Sequence, residues 1–97
     1  MEFNFKNQLW YWRGPSPFHF ISIPANETSQ IKGIASGVTY GWGAIPVQVR
    51  IGKSDFTTLI FPKDGLYIVP IKNAIRFSEG LKIDDLVHVK LKLGKPV

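Results

Sequence analysis

Two histidines, His19 and His88, are the only imidazoles in the chain, and both fall in stretches read as strands. A metal site needs further ligands close to them in space. His88 alternates with Lys90 and Lys92, which places it on a solvent face rather than in a ligand cluster. Asp84 and Asp85 are adjacent in sequence, so their side chains point apart. General acid–base work needs carboxyl groups that face one substrate, and a turn role is the simpler reading of this pair. Gly37-Val-Thr-Tyr-Gly41-Trp-Gly43 has the glycines of a phosphate loop but lacks a Lys-Ser/Thr ending. No helix is expected after it to present N–H groups to a phosphate, so it reads as a connecting loop. None of the six serines lies in Gly-x-Ser-x-Gly, and the absence of cysteine removes thiol nucleophiles, thiolate ligands and disulfides. The expectation is a chain that is not an enzyme and that carries no metal or cofactor.

Binding chemistry is better represented. The net charge of +5 is uneven: residues 1–45 hold three basic groups against two acidic ones, and residues 46–97 hold nine against five. Arg50, Lys90 and Lys92 take outward positions on two expected strands, and Lys53 and Lys95 sit where those strands end. If the two strands share a sheet, these five groups form a basic face that attracts nucleic acid without reading its sequence. The same residues also fit an ordinary solvated strand face. Aromatic residues make up 13% of the chain, with Trp10-Tyr11-Trp12 consecutive and Tyr40 and Trp42 in the glycine-rich stretch. Most are expected to fill a small core. Alternation along a strand sends Tyr11 to the side opposite Trp10 and Trp12, so one set faces outward. Trp12, Tyr40 and Trp42 are therefore candidates for a ligand groove. The functional expectation is a non-catalytic binding or interaction module. A nucleic-acid binder and a small-ligand pocket protein are the alternatives, and a protein partner is compatible with either surface.

The elements that carry these residues follow from pattern. A chain of 97 residues is one domain with one core. Apolar content of 44% and charged content of 20% are those of a globular protein. The first residues lack the apolar stretch of a secretory signal, and no apolar run reaches the roughly 20 residues of a membrane helix, so a cytoplasmic protein without a membrane span is expected. Strands are expected over 2–12, 18–23, 45–51, 56–61, 66–69 and 87–93. Gly52-Lys-Ser-Asp55 and Pro62-Lys-Asp-Gly65 read as turns between them. Pro24 opens a short helix over 25–32 stopped by Gly33, and Pro70 opens a second with Ile71, Ala74 and Ile75 on one face, ended by Gly80.

The two halves, about residues 1–45 and 46–97, look alike. Pro24 and Pro70 are 46 residues apart, Gly33 and Gly80 are 47 apart, and Val47-Gln-Val-Arg-Ile-Gly-Lys53 resembles Val89-Lys-Leu-Lys-Leu-Gly-Lys95 at a spacing of 42. An internal duplication of a strand–helix–strand unit predicts a mainly β fold: a small closed or split β-barrel with a pseudo-two-fold axis, capped by two short helices. Closure removes exposed strand edges.

The residues Ile23-Pro24, Tyr40-Gly-Trp42, Val47-Gln-Val-Arg-Ile51, Thr57-Thr-Leu59, Gly65-Leu-Tyr67, Pro70-Ile-Lys72, Arg76 and the turn before Val87 are similar to the bacterial and archaeal family catalogued as domain of unknown function 1905. They run in order from Trp12 to Lys90. The resemblance implies a split β-barrel capped by helices and implies no activity. It departs at Asp84-Asp85, where the family usually has Gly-Asp, which bears on the tightness of that turn. In longer relatives the domain precedes a helical domain associated with bacteriocin protection, and this chain is expected to end before such a domain. The strand-Pro-helix-Gly-turn-strand unit also looks like the swapped-hairpin transition-state-regulator and antitoxin proteins, which bind DNA as dimers. That likeness concerns the fold, which does not carry function.

Overall fold

The computed structural model describes residues 2–14, 18–34 and 43–94. Its elements are β1 (Glu2–Trp12), β2 (Phe18–Ser22), α1 (Ala25–Ile34), β3 (Ile45–Ile51), β4 (Ser54–Lys63), β5 (Leu66–Ile71), α2 (Asn73–Glu79) and β6 (Leu86–Leu93). The six strands close into an antiparallel barrel in the order β1-β2-β5-β4-β3-β6. The fold is therefore mainly β, a closed barrel with two short helices.

Alternation builds the core. Phe3, Phe5 and Leu9 of β1, Val47, Val49 and Ile51 of β3, Tyr67, Val69 and Ile71 of β5, and Val87, Val89 and Leu91 of β6 point into one buried cluster. Leu93 is half-buried and packs against it. Of the aromatic residues expected to be mostly in the core, Trp10, Tyr11 and Trp12 are not in it. Trp10 and Trp12 have the outward parity of β1, and Tyr11 has the inward parity but lies at the strand end, where the barrel opens.

Backbone chemistry sets the turns. Gly52-Lys53 joins β3 to β4 with Gly52 at φ 59, and Asp64-Gly65 joins β4 to β5 with both residues left-handed, at φ 53 and 85. Mirror-image two-residue turns of this kind match the twist of the strands they connect. β4 thus runs through Pro62 and Lys63, and the turn expected over 62–65 is only its last two residues.

Two helix boundaries differ from expectation. Pro70 does not open α2. It lies within β5 opposite Phe20, and the helix begins at Asn73 after an extended Lys72. Ala74 is accordingly exposed, Ile75 half-buried, and Ile71 a core residue of the strand. Gly33 does not stop α1, which continues to Ile34, and Gly33 keeps a negative φ. Gly80 does end α2: it is left-handed, its N–H donates to the carbonyl oxygen of Phe77, and that of Leu81 donates to the carbonyl oxygen of Arg76. That pattern satisfies carbonyls that would otherwise lack partners.

Each helix is tied to the barrel by a short polar clip. Thr28 is buried, its hydroxyl donates to the Ile23 carbonyl oxygen at 2.9 Å, and it accepts from the Tyr67 N–H at 3.3 Å. At the other helix, the Ser54 hydroxyl donates to Glu79 Oε2 at 2.6 Å.

The strand order is unchanged when β1, β2 and β3 are exchanged for β4, β5 and β6. The registers correspond as well. The pair Leu9–Ile21 of β1–β2 corresponds to Pro62–Tyr67 of β4–β5, and Phe5–Val89 of β1–β6 corresponds to Thr58–Val47 of β4–β3.

Candidate functional site

β4 and β5 share three register pairs, Phe61–Ile68, Pro62–Tyr67 and Lys63–Leu66, against four or more at the other seams. The rest of β4 pairs with β3, and β5 beyond Ile68 pairs with β2. The two strands diverge, and an apolar groove of about 990 Å³ opens there. Pro46 of β3, Pro62 of β4 and Pro70 of β5 all line it, together with Leu59, Phe61 and Lys72. Proline has no N–H to offer a ladder and is tolerated where a strand has lost a neighbour, which explains how Pro70 sits inside β5. Three prolines around one groove also remove three backbone donors from its walls. Leu59 is 44% exposed within it.

A second apolar layer lies outside the barrel wall beside this groove. Phe20 is opposite Trp10 and Pro70, on the face away from Leu9, Ile21 and Val69, yet it is buried. Its ring centroid is 5.3 Å from Trp10, 5.8 Å from Trp12, 5.7 Å from Phe18 and 5.8 Å from Phe61. Such tilted and edge-on contacts favour aromatic packing. The Lys63 ammonium stands 4.2 Å over the Trp12 ring. Trp12 thus does not line the groove but joins it through Phe20 and Phe61. Tyr40 and Trp42 lie outside the described residues.

The basic residues partly gather. Arg50 is opposite Lys90, and Lys92 stands between Gln48 and Glu2 on its two neighbouring strands. Arg50 pairs with Asp55 at 3.2 Å, and a shallow depression of about 330 Å³ on this face includes Glu2 and Asp55 as well as Arg50, Lys90 and Lys92. Lys53 is exposed in the adjoining turn. Lys95 lies outside the described residues.

A third concavity, of about 380 Å³, was not anticipated. Tyr11, Phe18 and His19 of the β1–β2 hairpin face Lys72, Asn73 and Arg76 across it. The Tyr11 and His19 rings meet at a tilt of 55° with centroids 4.7 Å apart. Burial, and then the Arg76 guanidinium, hold the His19 pKa below the usual histidine value. Arg76 Nη1 donates to Asn73 Oδ1 at 3.1 Å, while its Nε is buried without a partner. His88 is exposed on β6, as its alternation with lysines implied. The signal for this pocket was the register that sets His19 beside Ile71. Placing Pro70 and Ile71 in a helix hid it.

Among the described residues, no three His, Cys, Asp or Glu side chains gather to hold a metal ion, and no helix is long and apolar enough to cross a membrane. Asp84 and Asp85 are exposed in the turn before β6, where the Asp85 carboxylate accepts the Lys82 N–H at 2.8 Å. Backbone bonds stitch that turn to Leu9 of β1. Comparison with curated proteins finds no match. The sequence profile of a family described as a domain of unknown function, DUF1905, matches residues 5–91, from β1 to β6, and the chain belongs to that family.

Proposed function

We propose that this barrel is a non-catalytic binding module whose groove between β4 and β5 takes a small apolar molecule. The observation that carries the reading is the groove itself: about 990 Å³, lined by Pro46, Leu59, Phe61, Pro62 and Pro70, with Lys72 the one ammonium group among the described lining residues. Ligand sites are concave, largely apolar and furnished with a few polar groups that fix orientation. A solvent-facing Leu59 in that position has no role in the core and gains from being covered. The internal duplication belongs to the same reading. It is supported by the exchange symmetry of strand order and register, and it makes the β4–β5 split a specialised version of the β1–β2 hairpin.

The test is saturable binding of an uncharged solvatochromic dye, Nile red, followed by its fluorescence. Leu59→Asp is expected to weaken binding at least about tenfold, or about 1.4 kcal/mol, while Lys90→Asp leaves it unchanged. Binding that ignores Leu59→Asp, or that never saturates, overturns the groove as the site. A second reading, non-specific nucleic-acid binding, is favoured by one observation: Arg50 and Lys90 lie opposite each other on adjacent strands.

A further inference from the structure

We infer that the concavity between the β1–β2 hairpin and α2 is an anion site that holds the phosphate or carboxylate group of a small organic molecule, with Arg76 and Lys72 as its charge partners. Nitrogen donors converge on one cavity from three elements or their flanks: His19 from β2, Lys72 from the end of β5, and Asn73 and Arg76 from α2. Among the described residues, no carboxylate lines the cavity. The described ion pairs, Arg50 with Asp55 and Lys63 with Asp64, leave Lys72 and Arg76 without an acidic partner. The contrast with the β3–β6 face is direct, because there Asp55 already neutralises Arg50.

Arg76 supplies the second observation. A guanidinium carries five N–H donors in a rigid fork. One nitrogen is committed to Asn73, and the Nε–H is buried with no acceptor. A buried donor without a partner is costly, and more so when it is charged. An oxyanion in the cavity supplies the missing negative charge beside a guanidinium whose donors are not all satisfied. Phe18 and Tyr11 form apolar walls beside it, so the fitting ligand carries an organic, flat group next to its anionic head. The groups facing His19 agree. Tyr11 packs against it at a tilt from β1, Ile71 lies opposite on β5, and Arg76 faces it from α2. In the empty cavity these disfavour the imidazolium, and a bound anion reverses that preference. The site is separate from the apolar groove, with which, among the described residues, it shares only Lys72.

Two histidines make the test clean, because His88 is exposed on β6 and serves as an internal control. The imidazole resonances of both are followed by NMR at neutral pH during titration with inorganic phosphate, phenyl phosphate and benzoate. A saturable shift of His19 without a shift of His88, together with a raised His19 titration midpoint in the bound state, is the expected result. Stronger binding of phenyl phosphate assigns a phosphate monoester, and stronger binding of benzoate assigns a carboxylate. Arg76→Gln and, separately, Lys72→Gln are each expected to weaken binding about tenfold or more. Leu59→Asp is expected to leave it unchanged, which separates this site from the groove. The inference is overturned if none of the three anions moves His19, if His88 moves equally, or if both variants bind as the parent does.

Discussion

At Asp84, where the family resemblance implies glycine, φ is 72, in the left-handed region that glycine suits. Aspartate tolerates that region better than most residues, and β-branched residues tolerate it worst. The turn cannot relax easily, because the Asp84 N–H donates to the Leu9 carbonyl oxygen at 2.8 Å and the Asp85 carbonyl oxygen accepts from the Leu9 N–H at 3.0 Å. Asp84→Gly is expected to raise stability by up to about 1 kcal/mol and Asp84→Val to lower it by about 1–2 kcal/mol, measured by urea unfolding. A loss in Asp84→Gly would mean that the carboxylate, not the backbone, matters there. Val89 and Lys90 test the strand face residue by residue. Val89 is buried and Lys90 exposed. Val89→Ala should cost about 1–3 kcal/mol through lost burial and a cavity, and Lys90→Ala less than about 0.5 kcal/mol. Equal losses at the two positions would contradict the register of β6. At His19 the sign of the pH effect follows from its lowered pKa. Above pH 6.5 both the folded and the unfolded chain hold it neutral. As pH falls below 6.5, the unfolded chain takes a proton that the folded chain refuses, so stability declines until the lower folded value is passed. His19→Gln should therefore lose less stability than the parent between pH 7.5 and 5, and identical losses would remove the effect.

Individual elements show which local signals survive folding. The alternation in β3 and β6 placed both strands with their inward faces correctly, because a period of two against a shared core leaves one register that buries Val47, Val49, Val87 and Val89. Gly80 was legible because a left-handed cap needs glycine locally. Pro70 and Gly33 were misleading because neither residue type dictates a boundary by itself. Proline fixes φ near a value common to a helix start and an extended strand, so it marks a boundary only when its neighbours lack a sheet. Here β2 pairs with Pro70 on one side, and the missing N–H falls on the side where β5 has left β4. Glycine carries no obligation to end a helix, and Gly33 keeps a negative φ while α1 runs on to Ile34. Nothing in the residue pattern announced the clip made by Thr28, since it depends on β5 arriving beside α1. Thr28→Val removes the hydroxyl that serves Ile23 and Tyr67 and leaves a buried Tyr67 N–H without its acceptor. The expected cost is about 1–3 kcal/mol. Thr28→Ser keeps the hydroxyl and should lose less, and the reverse ranking in thermal unfolding would show that packing of the methyl group, not the clip, holds α1 in place.

Across the whole barrel, the basic strand face was readable in the sequence and the two concavities were not. Alternation alone put Arg50, Lys90 and Lys92 outward, and pairing of β3 with β6 brought them together. The groove depends on where β4 and β5 part, and the pocket on the placement of α2 after β5, neither of which leaves a periodic trace. Residues that happen to be acidic on neighbouring strands also escape a strand-by-strand reading: Asp55 meets Arg50, and Glu2 stands opposite Lys92. This sets the expected strength of nucleic-acid binding. Four described cations, Arg50, Lys53, Lys90 and Lys92, share the face with two carboxylates, so about two to three phosphates are neutralised and a similar number of counterions released. The logarithm of the binding constant for duplex DNA should then fall with the logarithm of salt at a slope of about −2 to −3. The dissociation constant should be roughly 10⁻⁴–10⁻⁶ M near physiological salt and equal for unrelated sequences. Replacing Arg50 and Lys90 together by alanine should flatten the slope by about one to two and leave unfolding of the barrel nearly unchanged. Fluorescence anisotropy with two unrelated labelled duplexes, at low and moderate salt, measures all of these. Sub-micromolar, sequence-selective binding at moderate salt that the double variant abolishes would make the β3–β6 face the main functional surface and displace the groove. A complete absence of binding at low salt would leave those four cations as solvated surface, whose role is to keep an apolar-grooved barrel in solution.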